Sequence, residues 1–319
     1  MKPIPHKPIC PKCGYDQSGA IATWESQCPM WGVCPECGLE FAWVEVFQPM
    51  FNDLRWYTEH ARSVWSLLWR TPKTLMRLIL PPLFWRELDV KKRLSIPMLT
   101  TWCVLVCFIT HLIVAVPVGL EHWQERNWTS MTPRQYIEVH GLSGALSIAF
   151  NGVAQPLYEA FPNERGYART IDVAIRPDRW DADYFMDIFF RPIGFQLGFI
   201  ALWLVVLLAI PRTRRMTKLR GAHIARTALL SATAMVLTFE LYRFNIALHG
   251  LGGSRTGVTY FMYNKIVPLL IVWQIVFWAC AIAIGWRIRP WRLLVVLGTL
   301  AALLGGATLR VYVFLLTTL

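Results

Sequence analysis

An all-α polytopic membrane bundle of five transmembrane helices, preceded by a small β ribbon built on cysteines, is the fold class this sequence predicts. Three observations predict it. The 319-residue chain is 55% hydrophobic and only 16% charged, with a mean hydropathy of +0.38, whereas ordinary soluble domains carry about 25% charged residues. Long apolar runs alternate with short basic segments over residues 94–319, and a run of about 20 apolar residues is what a helix needs to cross the hydrocarbon core. Two tight cysteine pairs, Cys10 with Cys13 and Cys34 with Cys37, organise the first 41 residues.

Residues 1–41 are polar, rich in proline and without an apolar stretch of the signal-peptide type. Insertion is therefore expected to start from an internal span, leaving the ribbon on the side where insertion begins. Each cysteine pair brackets two residues and is followed by glycine, in Cys10-Pro11-Lys12-Cys13-Gly14 and Cys34-Pro35-Glu36-Cys37-Gly38. That spacing lets a tight turn aim two thiolates at one ion, and glycine accepts the left-handed geometry such a turn demands. The twenty residues between the pairs suffice for a hairpin or two. Four thiolates make a closed, structural site for a divalent ion, which replaces the core that some 40 residues cannot supply. Zinc is expected ahead of iron. A disulfide framework is the competing explanation, disfavoured if this end faces the cytoplasm. Cys28 lacks a partner at that spacing and is at most an alternative ligand.

Residues 42–93 are read as amphipathic linker helices. Apolar positions recur at helical spacing between Leu54 and Trp69, Thr71 before Pro72 has the form of a cap and first-turn proline, and Pro81-Pro82 should end that second helix. Either bilayer-surface contact or packing on the rest of the chain suits them. The five spans follow at about 96–120, 189–210, 222–248, 266–286 and 291–317, with Pro117 expected to kink or end the first.

Charge orients them. Residues 62–93 carry eight bases against two acids, 212–220 five bases and no acid, and 286–292 three bases, while 121–191 holds ten acids against seven arginines. Basic segments beside spans are retained in the cytoplasm. The expected topology is a multi-pass protein of the cytoplasmic membrane with its N-terminus inside, its C-terminus outside and an outer insertion at 121–188. Within that insertion residues 141–152 are too short for a comfortable crossing, and a re-entrant segment, an interfacial helix or a helix packed on the bundle all suit them. The scatter of bases over membrane-proximal loops argues against specific nucleic acid and for the lipid bilayer, including anionic headgroups, as the contact.

Inside the spans, Glu240 and Arg243 lie three apart on the third, with Lys265 and Arg310 at similar expected depth. Ionisable groups in a membrane usually face the bundle interior. The set is either a structural ion pair with interfacial snorkelling or a ligand-facing polar cluster, and both place Glu240 beside a base. His111, alone in the first span, is expected to bond between helices; Cys103, Cys107 and Cys280 are expected to pack as small apolar residues, and Gly305-Gly306 to allow close helix approach. No nucleophile elbow, zincin signature, P-loop or dinucleotide fingerprint stands in suitable context.

Two resemblances rest on these residues. The stretch Cys10 to Asp16 with Cys34 to Gly38 resembles the N-terminal zinc ribbon of many bacterial membrane proteins of planctomycete type, and its knuckles also resemble those of rubredoxin, an iron protein. The body, with its Pro72 approach helix, Phe84-Trp85 and the basic Lys91-Lys92-Arg93 stop, is similar to the Yip1 family of five-span proteins, although the 121–191 insertion departs from it. The latter resemblance implies an association with membrane trafficking and small-GTPase partners in eukaryotic relatives, and carries over no functional residue. The expectation is a non-enzymatic membrane scaffold or adaptor whose cytoplasmic zinc ribbon recruits a protein partner. Its alternatives are a transporter or lipid-handling protein using the Glu240 set, and an intramembrane enzyme.

Overall fold

A computed structural model describes residues 7–25, 27–126, 134–135, 137–139, 141–142, 145, 193–209, 218–250, 257–289 and 291–318. Most of the expected outer insertion at 121–188, including most of residues 141–152, and the basic positions 212–217 lie outside the described residues.

The ribbon begins with a knuckle whose flanks meet in an Ile9–Asp16 bridge. A five-residue helix α1 (Ser18–Ala22) follows, then an antiparallel hairpin of β1 (Trp31–Val33) and β2 (Glu40–Ala42) that carries the second knuckle at its turn, with Trp31 opposite Ala42 and Val33 opposite Glu40. The short helix α2 (Trp43–Phe47) closes it. Cys10, Cys34, Phe41, Trp43 and Val46 form the buried cluster, with Trp24 and Phe47 packed against it. The ribbon's core thus draws on Trp43, Val46 and Phe47, beyond residue 41.

The linker differs from the sequence expectation in three places. Residues 54–63 are not α-helical: a 3-10 turn at Thr58–His60 is followed by a single helix α3 (Val64–Leu78) that runs through Pro72. Ser63, not Thr71, is the N-cap. Its hydroxyl accepts from the Ser66 amide at 3.2 Å and the Ser66 hydroxyl accepts from the Ser63 amide at 3.2 Å, a reciprocal cap that starts the helix two turns before the proline. Thr71 instead donates its hydroxyl to the Leu67 carbonyl at 2.9 Å and accepts the Trp102 indole at 3.0 Å. Burial of Leu67, Thr74 and Leu78 on one face offsets the proline's cost of about 3 kcal/mol. Pro81 and Pro82, expected as terminators, open a further helix α4 (Pro81–Glu87), where the missing amide protons cost nothing.

The apolar helices are α5 (Ile96–Arg126), α6 (Ile193–Ala209), α7 (Gly221–Gly250), α8 (Gly257–Cys280), which continues as a π-turn over Ala281–Gly285, and α9 (Trp291–Thr318). Among the described residues four stretches are long and apolar enough to cross a membrane: Ile96–Leu120, Gly221–Asn245, Pro268–Gly285 and Trp291–Thr308. In α6 the described apolar stretch, Phe195–Leu208, is shorter than that. Pro117 does not end α5, which continues to Arg126; a carbonyl freed by proline is tolerated where neighbouring groups re-satisfy it. The fourth helix starts at Gly257, nine residues before its expected start, and carries Pro268 within it.

The described chain divides into two compact units, residues 1–103 with 197–232 and 272–319, and residues 104–196 with 233–271. In the first, Trp203 of α6 stacks on Trp278 of α8 with ring centres 5.3 Å apart. A methyl group at Gly298 of α9 would meet the Trp203 ring at 2.1 Å, and one at Gly305 would meet Leu202 at 2.2 Å. This is small-residue packing, the mode that brings helices together in lipid. Gly298→Ala is therefore expected to overpack the site and cost about 1–3 kcal/mol, read as earlier thermal unfolding in detergent; an unchanged midpoint would show that α6 and α9 do not meet this closely. In the second unit Val114, Val118 and Ala247 form a small core against Phe244. Exposed apolar rows such as Val104, Phe108, Leu112 and Val116 on α5, and Leu293, Val296, Leu300 and Leu304 on α9, are what lipid-facing helices require.

Candidate metal centre

The four knuckle cysteines converge. Their sulfurs all lie within 4.8 Å of one another, and Cys10–Cys37 and Cys13–Cys34 are each 3.6 Å apart. Sulfurs about 2.3 Å from a tetrahedral ion stand about 3.8 Å from one another, so the set fits one ion. A disulfide needs about 2.05 Å, and all four thiols are free. The turn geometry follows from the motif. Gly14 and Gly38 have φ of +79° and +66°, and their amides close onto the Cys10 and Cys34 carbonyls at 2.9 Å each. Buried Gln17 adds an outer contact, donating its amide to the Cys34 sulfur at 3.3 Å.

The donor set suits a cation that takes thiolates. Burial pushes the free thiols of Cys10, Cys13 and Cys37 up to about 11. Burial also acts against the Cys34 thiolate, but the amides of Cys37 and Glu36 and the neighbouring Cys13 and Cys10 thiols outweigh it and draw this group down to about 7. Loading an ion therefore expels protons from the ligands at neutral pH, and acid competes with the metal. An ion held tetrahedrally by all four cysteines would have no open position for substrate. Cys28 is exposed and lies outside the cluster.

The knuckles are anchored. The Arg220 amide donates to the Lys12 carbonyl at 2.9 Å, His223 Nε2 donates to the Pro11 carbonyl at 2.9 Å, and the Lys218 ammonium lies 3.0 Å from the Glu36 carboxylate while also bonding the Glu36 carbonyl. One short segment at the start of α7 thus holds both knuckle turns.

A second polar centre lies in the same unit. Glu59 and Arg226 are buried together, 0% and 1% exposed, with Nε to Oε2 at 2.8 Å and Nη2 to Oε1 at 3.0 Å. The Ser95 amide donates to Glu59 Oε1 at 2.5 Å, and Arg226 Nη2 donates to the Arg93 carbonyl at 2.6 Å. His60 accepts the Leu54 amide on Nδ1 at 2.7 Å and donates from Nε2 to the Arg93 carbonyl at 3.1 Å. These bonds require the neutral ring. Burial lowers the His60 pKa against the opposing pull of the Arg93 carbonyl and the Asp53 and Glu59 charges. With its folded pKa depressed, the unfolded chain binds more protons, so the contribution of His60 is present above about pH 6.5 and is lost as pH falls through the folded value. Thermal unfolding at pH 7.5 and 5.5 is expected to show this loss, and His60→Gln to flatten it; an unchanged slope would remove His60 as its source. Sequence reading missed this centre. Its one local signal was Arg226, a base inside an otherwise uncharged apolar run.

The candidate cluster in the third span resolves differently. His111 on α5 donates from Nδ1 to Glu240 Oε1 at 2.9 Å, and Arg243 Nη1 lies 3.3 Å from both Glu240 oxygens. Glu240 is thus beside a base and His111 bonds between helices. Lys265 is exposed and makes no ion pair with Glu240 among the described residues, and the Arg310 side chain lies outside them.

Among the described residues, four apolar helices that could span a membrane, joined to a four-cysteine knuckle, point to a membrane protein with a candidate metal-binding ribbon. No family model, no curated protein and no solved structure matches this chain.

Proposed function

We propose that the protein is a non-enzymatic membrane scaffold or adaptor, in which a structural zinc ion on Cys10, Cys13, Cys34 and Cys37 stabilises a cytoplasmic ribbon that presents a surface to a protein partner. The observation that carries this reading is the pairing of a closed metal site with an exposed apolar edge. Met30, Trp31 and Val33, on and beside β1, are 82%, 66% and 60% exposed. Zinc is favoured over iron because the site's only evident task is structural, and a redox-inactive ion with no geometric preference performs it. The five-span topology, with α6 as the second crossing, keeps the basic segments and the ribbon on the cytoplasmic side. Anchoring of the ribbon at Lys218, Arg220 and His223 gives the scaffold a defined orientation.

Glu240 supports the scaffold over transport, because both its oxygens are engaged by Arg243 and one by His111. The test is affinity capture of the full-length chain from native membranes, compared with a Met30→Ser/Trp31→Ala variant that retains its metal. A partner captured by the first and lost from the second is expected. Identical capture by both would remove the β1 edge from any recruiting role.

A further inference from the structure

Helix α3 presents two unlike apolar faces. Leu67, Thr74 and Leu78 face inward. On the opposite side Trp65, Leu68, Trp69, Met76 and Ile79 are exposed, Trp65 by 82% and Trp69 by 84%, and the row continues through Leu80 and Leu83 of the α3–α4 turn. A soluble turn is normally polar at such positions. Two of the helix's bases are turned from this row: Arg70 donates to the Tyr57 carbonyl at 3.2 Å, and Arg77 pairs with Glu87 at 2.5 Å while lying 4.3 Å from the centre of the Trp56 ring. Lys73 is exposed beside the row, four residues after Trp69 and three before Met76, and would reach the headgroups by snorkelling.

The amides of the turn are paired from within. The Ile79 amide bonds the Leu75 carbonyl at 3.2 Å and the Leu80 amide the Arg77 carbonyl at 3.1 Å; Pro81 and Pro82 have no amide proton; the Leu83 and Phe84 amides both bond the Leu80 carbonyl at 3.1 Å. The Ile79 carbonyl accepts the Trp273 indole N–H at 3.1 Å. Paired amides are what hydrocarbon requires of backbone donors. Trp273 also supplies a depth. It stands twelve residues before Gly285, the end of the apolar stretch Pro268–Gly285, or roughly 18 Å along the helix. From there α4 runs back along α8, with Trp85 against Phe277 at 5.3 Å and against Trp286 at 6.5 Å.

We propose that α3 and α4 form a re-entrant hairpin that enters the bilayer from the side of residues 286–292, with its Ile79–Leu83 tip near the middle of the membrane and its apolar row against lipid acyl chains. Trp65 and Trp69, at the shallow end, take the headgroup level that suits indole rings. The tip residues Leu80 and Leu83 lie deepest, with Met76 less than a turn before the tip. Arg86 is on the returning limb, its stem directed to the headgroups by snorkelling.

The test is nitroxide accessibility in the full-length chain, reconstituted in nanodiscs of phosphatidylcholine and phosphatidylglycerol at about three to one, a composition chosen for the basic linker. Labels are placed one at a time through Trp69→Cys, Met76→Cys, Leu80→Cys, Leu83→Cys and, as an aqueous reference, Met30→Cys, in a chain carrying Cys28→Ser, Cys103→Ala, Cys107→Ala and Cys280→Ala. Retained metal verifies that each variant is folded. The expected result is high oxygen and low nickel-chelate collision at 76, 80 and 83, with greater depth at 80 than at 69. High nickel-chelate access at 80 and 83 would place the tip in water and overturn the proposal. Low access to both reagents would mean cover by protein, in a second copy or a partner, and would overturn it equally. Equal depth at 69 and 80 would describe a helix lying flat on the surface, which also overturns the re-entrant geometry.

Discussion

Cys34→Ser is expected to strip the bound ion from the purified full-length chain, from about one zinc per chain to near none, and to unfold residues 7–47. The size of the effect follows from how little else holds this region. Its strands have three residues each and its core is a handful of side chains around Phe41 and Trp43, far short of the apolar burial that stabilises an independent domain. Binding energies of about 10–16 kcal/mol are typical of structural zinc in small ribbons and fingers, and there they amount to folding energy. Cys34 is the most informative ligand to remove, because its sulfur is 3.6 Å from that of Cys13 and also receives the Gln17 amide. Metal analysis with limited proteolysis reads the outcome: cleavage within residues 7–47 should become fast in the variant and slow in the parent. Full metal content in Cys34→Ser, or native Cys10–Cys13 and Cys34–Cys37 disulfides, would remove the metal centre altogether. Because Pro11, Lys12 and Glu36 bond to Arg220, His223 and Lys218, loss of the ion should also release the knuckles from the start of α7.

Glu59→Ala has the next largest expected effect, a loss of about 3–5 kcal/mol, because it leaves the Arg226 guanidinium buried without its carboxylate. The Ser95 amide, held by Glu59 at 2.5 Å, loses its acceptor at the same time. Burial of a paired charge is by itself weak evidence for stability, since a well-packed apolar pair often does as well. The double variant Glu59→Leu/Arg226→Leu is therefore expected to recover most of the loss. Thermal unfolding in one detergent, at fixed pH and ligand-free, compares the three proteins. A single-variant loss below about 1 kcal/mol would indicate that water reaches the pair, and a double variant as unstable as Glu59→Ala would show that the pair is needed for more than mutual neutralisation.

Legibility in the sequence varied with how local each feature is. The four-cysteine cluster was readable because a two-residue spacing followed by glycine is a local geometric instruction, realised in the positive φ values of Gly14 and Gly38. The apolar helices were readable because hydropathy accumulates along a contiguous run. The linker was misread where two local signals competed: Thr71-Pro72 has the appearance of a helix start, yet the Ser63–Ser66 cap and the buried Leu67–Thr74–Leu78 face carry one helix through it. Glu59 and Arg226 lie 167 residues apart. Nothing in either neighbourhood reports the other.

By itself the sequence determined that this is a membrane protein with a four-cysteine ribbon, since composition, apolar run length and cysteine spacing are properties of short contiguous stretches. Only the tertiary structure decided where the knuckles dock, that His111 completes the Glu240–Arg243 group, and that the α3–α4 turn lies against Trp273. Such contacts join residues far apart in the chain. They depend on packing and on satisfying polar groups away from water, which local pattern does not encode.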